Sequence, residues 1–218
     1  MRNRDAVDRL LSLGTPQRIA ILSRLVEIEK PSIEDFWLQL IEREQEAAAR
    51  WYILRAFGVL RSEASIDLLL EVGKDLDVEL GKSSLYRIAA WSLGRIGMAA
   101  LFPTLSALGA STEGCRVVAA DALGEIRSSS AVGMLCKALR EDTWKVKLWA
   151  ALSLAKIGEP ALDCLSSLSK GPCDPKISLL ATDAMIKIGS PRALQELRTV
   201  VKSGVPEVRR LVLSKVPL

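Results

Sequence analysis

The side chains that could carry chemistry in this sequence exclude most forms of self-contained catalysis. The chain has no histidine, so it lacks Ser-His and Cys-His nucleophilic pairs and the usual proton shuttle near neutral pH. Its four cysteines, Cys115, Cys136, Cys164 and Cys173, lie far apart without a C-x-x-C pair, so zinc binding is not expected. We interpret these cysteines as unpaired thiols, mostly buried, and we predict no catalytic residue.

Two other kinds of site were considered and rejected. Asp75, Asp77 and Glu79 alternate as calcium ligands do, but the twelve-residue loop pattern and its closing acid are missing, which favours a solvated acidic loop. Isolated glycines such as Gly94 and Gly124 are typical of helix ends and close packing, because no strand precedes them as a dinucleotide site requires. We therefore predict no metal and no cofactor.

Tryptophan and arginine form the best candidate binding cluster. Such residues bury apolar area, meet carboxylates and dominate binding energy at protein interfaces. We expect Trp91 to be an exposed anchor. Trp149, by contrast, is predicted to be a core residue, because the equivalent positions of the other repeats are mostly apolar. The predicted partner-binding residues are Trp51, Arg55, Arg87, Trp91, Arg95, Arg116, Asp121 and Lys156. Solvated helix faces with inter-repeat ion pairs, each worth under about 1 kcal/mol, are the alternative interpretation of the charged positions.

These residues lie on a helix that recurs along the chain. The segment from Leu85 to Gly97, LYRIAAWSLGRIG, has weakened copies almost to the C-terminus. With Gly94 as the marker position, the equivalent positions are Leu25, Gly58, Gly94, Gly124, Ala155, Ile186 and Ser214. A spacing close to 31 residues that holds six times is typical of a stacked repeat, in which each unit packs mainly on its neighbours.

Apolar columns accompany the marker at helical offsets. One residue before it stand Phe57, Leu93, Leu123, Leu154, Met185 and Leu213, and two after it stand Leu60, Ile96, Ile126, Ile157, Ile188 and Val216. Four and five residues before it, the central repeats carry small residues, as at Ala119 and Ala120. Since these offsets place the columns on one face of a helix, the marker segments are predicted to be helices. Short turns then lead into a second helix, so the chain is predicted to be all-α.

The predicted domain organisation is one array over residues 1–218. Residues 1–45 form an N-terminal cap unit, 46–204 the central repeats and 205–218 a C-terminal half repeat. The acidic run of Glu42, Glu44 and Glu46 fits a solvated edge of the cap, and residues 73–84 form a loop insertion. A net charge of +4 spread through every repeat does not favour nucleic acid, and no apolar run is long enough for a membrane span. We expect a cytoplasmic protein.

The V/L-x-R-x-A-A-x-x-L-G-x-I pattern resembles HEAT repeats of the short bacterial type found in phycobilisome lyase-like proteins. That resemblance implies a right-handed α-solenoid of about six to seven helix-turn-helix repeats, with the marker helices lining its concave side. Residues 50–61, RWYILRAFGVLR, and 79–97, ELGKSSLYRIAAWSLGRIG, are similar to the E subunits of E/F-type phycobilin lyases. The sequence departs from those subunits at Lys82, Ser83 and Ser84, where a glycine-aromatic-proline run is expected.

Three functions are compatible with these features. The first is a helical scaffold that binds another protein in its concave groove. The second, implied by the resemblance, is a phycobilin lyase subunit or phycobilisome-handling factor, whose partner is a phycobiliprotein subunit or a second HEAT subunit. Only this second function involves a cofactor, a phycobilin, and only it makes the chain an enzyme. The third is a nucleic-acid-binding HEAT protein, although a dense Lys/Arg groove is missing.

Overall fold

The computed structural model describes residues 2–28, 31–74, 84–170, 174–203 and 206–216. Its α-helices are α1 (Arg2–Leu11), α2 (Thr15–Leu25), α3 (Glu34–Ile41), α4 (Ala47–Leu60), α5 (Ile66–Glu71), α6 (Ser84–Ile96), α7 (Leu101–Ala107), α8 (Glu113–Ile126), α9 (Val132–Glu141), α10 (Trp144–Ile157), α11 (Leu162–Lys170), α12 (Pro175–Ile188), α13 (Pro191–Ser203) and α14 (Pro206–Lys215). Within the described ranges the regular structure is entirely helical, which confirms the all-α prediction.

The chain divides into two compact units, Met1–Ala122 and Leu123–Leu218. In unit 1 the main packing joins α4 to α6, with α2 and α3 also against α4. In unit 2, α10 packs on α9 and α12, and α12 packs on α11, α13 and α14. In both units, therefore, marker helices pack side by side and each contacts a shorter second helix. The single array over residues 1–218 stays a prediction.

Five marker helices are followed by a residue with positive φ at the same repeat position, which is left-handed helical at Arg61 and Gly189 but not at Gly158, where ψ is −138°. Three residues after the marker, φ is positive at Arg61 (52°), Gly97 (80°), Arg127 (57°), Gly158 (89°) and Gly189 (63°). A left-handed residue stops a helix and turns the chain, and glycine adopts it most readily. The turn recurs with the repeat even where arginine occupies it, because the second helix must fold back at that point.

The apolar column before the marker forms the core, with one exception. Phe57, Leu93, Leu123, Leu154 and Met185 are all fully buried. At the C-terminus the column prediction is wrong, because Leu213 is 59% exposed and the preceding Val212 is fully buried instead. Helix α14 nevertheless keeps the alignment, because Val212 stands two residues before the marker, where Ser92 and Ser153 are buried in other repeats.

Marker glycines allow neighbouring helices to approach closely. A Cβ atom on Gly58 would lie 2.7 Å from the Ser92 hydroxyl oxygen and 2.8 Å from the Ser92 Cα atom. The same arrangement recurs in unit 2, where a Cβ on Gly124 would lie 2.5 Å from Ser153 Oγ. In both pairs the serine stands two residues before the next marker, so a small residue faces the glycine across the helix interface.

The N-terminal region departs from the expected solvated edge. Glu44 is only 2% exposed, and its carboxylate lies 3.3 Å from Arg18 Nε. Its Oε1 atom accepts hydrogen bonds from the backbone N–H groups of Gln45 and Glu46, both at 3.0 Å, just before α4 begins. Buried carboxylates persist when they are paired and hydrogen-bonded in this way. Glu44 is therefore a structural residue that fixes the start of α4.

The prediction of unpaired thiols is wrong for two cysteines. Cys136 on α9 and Cys164 on α11 form a disulfide, with their Cα atoms 6.5 Å apart. Cys115 is a buried free thiol, as expected. Cys173 lies outside the described residues, as do Asp75, Asp77 and Glu79 of the inserted loop. Sequence spacing did not indicate the pairing, because the two cysteines meet only when the second helices of adjacent repeats lie side by side.

One stretch is long and apolar enough, by length and composition, to cross a membrane. Within the described residues it runs from Leu85 to Ala107, and its most apolar 18-residue window has a mean hydropathy of 1.3 and is half buried inside the fold. The chain turns within it at Gly97, where α6 ends and the 3-10 segment Gly97–Ala100 leads into α7. Burial and the turn fit two packed core helices, so this stretch is weak evidence for a membrane span.

Candidate functional site

Two tryptophan–arginine stacks lie on the adjacent helices α4 and α6. On α4 the Arg55 guanidinium lies 5.8 Å from the ring centroid of Trp51, and on α6 the Arg95 guanidinium lies 5.9 Å from that of Trp91. Both pairs are four residues apart, which places their side chains on one helix face. We call Trp51, Arg55, Trp91 and Arg95 the tryptophan–arginine face. The structure thus places four of the predicted partner-binding residues in two stacks on a pair of packed helices.

Trp91 is less exposed than the sequence suggested. It is only partly exposed, and the Cζ3 atom of its ring would lie 2.8 Å from a Cβ atom placed on Gly58. The expectation of an exposed anchor is therefore corrected to a tryptophan that packs on α4 with one side of its ring. That packing restricts the orientation of the Trp91 ring. Arg95, which lies over this ring, is exposed.

Arg55 is partly engaged within the fold. Its Nη2 atom donates to Glu27 Oε1 at 2.7 Å, and its side chain is 34% exposed. The ion pair connects α4 to the residue that follows the end of α2. Because Arg55 already has a carboxylate partner, Arg95 is the better candidate for contacting carboxylates on another molecule.

Arg87 and Asp121 differ in accessibility. Arg87 is exposed on α6, four residues before Trp91, whereas Asp121 is 2% exposed. Both act electrostatically on the buried Tyr86. Burial raises the pKa of the Tyr86 hydroxyl, the Arg87 guanidinium lowers it and the Asp121 carboxylate raises it, and the net shift is upward. Asp121 is thus part of the interior of unit 1. Arg87 lies on the same face of α6 as Trp91 and Arg95, because the three residues are spaced four apart.

Arg116 and Lys156 have intramolecular partners. Arg116 Nη1 donates to the carbonyl oxygens of Ala110 at 2.9 Å and Ser111 at 3.2 Å, which anchors the loop between α7 and α8. Lys156 Nζ donates to Glu125 Oε1 at 2.7 Å, one repeat earlier. These contacts match the alternative interpretation of the charged positions, so neither residue lies in the tryptophan–arginine face.

The same kind of inter-repeat pairing continues in unit 2. Asp183 accepts from Lys187 at 2.8 Å and from Lys215 at 3.1 Å. Burial raises the pKa of the Asp183 carboxyl. The hydrogen bonds and positive charges of the two lysines lower this pKa by a larger amount, so the net shift is downward. The Lys215 ion pair therefore joins α14 to α12, whereas the Lys187 ion pair lies within α12.

An exposed apolar pair was missed by the sequence interpretation. Met98 is 63% exposed and Phe102, one turn later, is 77% exposed. The corresponding positions in neighbouring repeats are polar or small: Glu63 and Asp67, Ser129 and Gly133, Glu159 and Asp163. These positions correspond through the 3-10 turns that precede the second helices, whereas the marker spacing alone aligns Phe102 with the apolar Ile66 and Val132.

Unit 1 also has an apolar groove of about 530 Å³ between α1, α2 and α3. Leu13, Ile21, Leu25 and Phe36 line it, and Asp5 and Arg9 stand at its rim. None of the predicted partner-binding residues lines this groove. Among the described residues no group of three or more His, Cys, Asp or Glu side chains could hold a metal ion.

Comparison with known proteins agrees with the repeat geometry. Residues 103–177 match the family of HEAT repeats. The match begins within α7, contains the whole of α8, α9, α10 and α11, ends in the first turn of α12 and covers about a third of the chain. Together with the helical repeats, this match supports a HEAT-repeat protein. The chain has no significant match among the curated proteins.

Proposed function

We propose that this chain is a helical-repeat scaffold without catalytic activity of its own, and that it binds another protein through the tryptophan–arginine face. HEAT repeats are commonly protein-interaction scaffolds, which supports the general class. The observation that carries the specific proposal is the pair of Trp–Arg stacks on α4 and α6. We also propose that this face lies on the concave side of the repeats and that the protein is cytoplasmic.

The chemistry of the face defines the kind of partner. Partly buried tryptophans have little conformational freedom to lose on binding, so the apolar area they bury favours association. The exposed guanidinium of Arg95 can form two parallel hydrogen bonds with a carboxylate. We therefore expect a partner segment that presents an apolar side chain next to an aspartate or glutamate.

The test reverses one charge on the face. Tagged wild-type protein and an Arg95→Glu variant are used to capture proteins from a lysate of the source cells, and the captured proteins are quantified by mass spectrometry. A partner that uses this face should be recovered at least about tenfold less with Arg95→Glu, since truncating a central interface arginine typically costs 2 kcal/mol or more. Circular dichroism should stay unchanged, because Arg95 is exposed.

A matched control and a second surface make the result specific. Arg198→Glu reverses an exposed charge on α13 of unit 2 and should leave capture unchanged. Phe102→Ser tests the exposed apolar pair. If capture survives Arg95→Glu but is lost with Phe102→Ser, the binding surface is the apolar pair and the tryptophan–arginine face is structural.

The phycobilin lyase alternative stays a prediction from sequence resemblance. The residues that support it specifically are Arg50, Trp51 and Tyr52 of α4 and the motif at residues 79–81. That motif lies outside the described residues, and the match to HEAT repeats does not distinguish this subtype. Capture of a phycobiliprotein in the same experiment would favour it. The nucleic-acid alternative rests on a net charge of +4. In unit 2, Lys156 and Lys215 form ion pairs with neighbouring marker helices, and Lys187 forms one within its own helix.

A further inference from the structure

The disulfide of unit 2 joins two helices that otherwise contact each other little. Helix α9 packs mainly on α10, and α11 packs mainly on α12. The bond between Cys136 and Cys164, 28 residues apart, closes a loop that contains the whole of α10. The covalent bond is thus the principal direct connection between the second helices of two adjacent repeats.

The two sulfur-bearing residues differ in accessibility. Cys136 on α9 is buried, with 9% of its surface exposed, whereas Cys164 on α11 is partly exposed. Thiol–disulfide exchange requires a thiolate to reach one of the two sulfur atoms, so access decides which sulfur is attacked. Attack from solvent is therefore directed to Cys164, with Cys136 as the leaving group.

We propose that Cys136–Cys164 is a thiol–disulfide exchange site, at which a low-molecular-weight thiol opens the covalent connection between α9 and α11 while unit 2 stays folded. Disulfides are uncommon in proteins of reducing compartments, where those that occur are usually transient or redox-sensing. A cytoplasmic location, which we predict from sequence, makes reversible opening the role that fits this bond.

The exchange proceeds in two balanced steps. In the first, the thiolate RS⁻ attacks Cys164 Sγ, a bond forms between the two sulfurs, and the Cys136–Cys164 bond breaks with its electron pair leaving on Cys136. The Cys136 thiolate then takes a proton from solvent. In the second, another RS⁻ attacks the sulfur of R in the mixed disulfide, RSSR departs and the Cys164 thiolate is protonated. One protein disulfide is reduced and two RSH molecules are oxidised to RSSR.

Opening the bond changes the fluctuations of a defined part of unit 2. A disulfide restricts the loop that it closes, and that restriction is lost on reduction. The core residues Leu135, Leu139, Leu165 and Leu168 stay buried by their noncovalent contacts. We therefore expect α9, α10 and α11 to become more mobile on reduction without loss of helix.

The experiment uses glutathione as the probe in a Cys173→Ser background, which removes the fourth cysteine as an exchange partner. Two further variants each leave one member of the pair: Cys136→Ser retains Cys164, and Cys164→Ser retains Cys136. Each is incubated with oxidised glutathione, and adducts are located by peptide mass spectrometry. Modification of Cys164 should be at least about tenfold faster than modification of Cys136, because rates follow thiol access. Buried Cys115 serves as an internal control.

A second measurement uses the intact pair. The Cys173→Ser protein is treated with reduced glutathione, quenched with acid and searched for the trapped mixed disulfide, while circular dichroism and hydrogen exchange follow the fold. The proposal is supported by a glutathione adduct on Cys164, unchanged helicity and faster exchange in α9, α10 and α11. It is overturned if the bond opens only in denaturant, if the adduct forms on Cys136, or if protein purified under oxidising conditions carries both thiols free.

Discussion

At the residue scale, the marker glycines show how a single missing Cβ atom sets the distance between repeats. Gly124 on α8 and Gly133 on α9 are both helical glycines of unit 2, but their surroundings differ. A Cβ on Gly124 would meet Ser153 at 2.5–2.8 Å, whereas a Cβ on Gly133 would meet nothing within 4 Å. Only the first glycine is required by packing.

This difference predicts opposite effects of the same substitution. Gly124→Ala should lower the free energy of unfolding by about 1–3 kcal/mol, the usual cost of overpacking a close-packed interface. Gly133→Ala should leave it unchanged or raise it by up to about 1 kcal/mol, because alanine is the better helix former. Urea denaturation followed by circular dichroism measures both. Equal effects of the two substitutions would mean that the close contact between α8 and α10 is not as described.

The candidate binding residues differ from one another in exposure and in ion pairing. Arg95 and Arg87 are exposed, Arg55 pairs with Glu27, and Asp121 is buried. The sequence predicted the residue types and their helix faces correctly, because helical periodicity determines which positions share a face. It could not predict which charges already have partners, since those partners come from other helices.

At the element scale, each marker helix contributes one large side chain to the core, and helix α14 shows where the repeat ends. Leu154 of α10 is fully buried, but Leu213, its equivalent in the alignment, is 59% exposed. The spacing before the last marker is 28 residues where the two preceding spacings are 31. Val208, Val212 and Val216 stay buried at their aligned positions, and no described helix follows α14 to cover Leu213.

Truncating the two leucines tests whether the column position is uncovered on α14. Leu154→Ala should cost about 2–5 kcal/mol of stability, the range for a buried leucine reduced to alanine. Leu213→Ala should change it by no more than about 0.5 kcal/mol, as is usual for exposed positions. The midpoints of chemical denaturation compare the two. A large loss for Leu213→Ala would mean that Leu213 is covered and would contradict its described exposure.

At the scale of the whole molecule, stability depends on short-range contacts between neighbouring helices and, in unit 2, on one covalent bond. In repeat proteins a local change acts mainly on adjacent repeats. The Cys136–Cys164 bond lies wholly within residues 123–218. Its removal should therefore affect that unit first.

Removing the bond should lower stability selectively. In the loop-entropy model, a closed loop of about 30 residues contributes about 3–4 kcal/mol, so Cys136→Ser with Cys164→Ser should lose an amount of that order. Hydrogen exchange should rise in residues 123–218, while residues 1–122 keep their protection. Cys115→Ser, which alters a buried free thiol outside the bond, is the control for loss of a cysteine side chain. Uniform loss of protection in both units would show that they unfold together.

The sequence by itself determined the helical class, the repeat length and the core column of the marker helices. Those features follow from local spacing, because a helix of 3.6 residues per turn places a column on one face wherever the segment lies. The tertiary structure alone decided the Cys136–Cys164 bond, the burial of Glu44 against Arg18, the contact of Trp91 with Gly58 and the exposure of Leu213. Each of these depends on which side chains of different helices meet. A periodic pattern contains no information on such contacts, because it describes each helix relative only to its own axis.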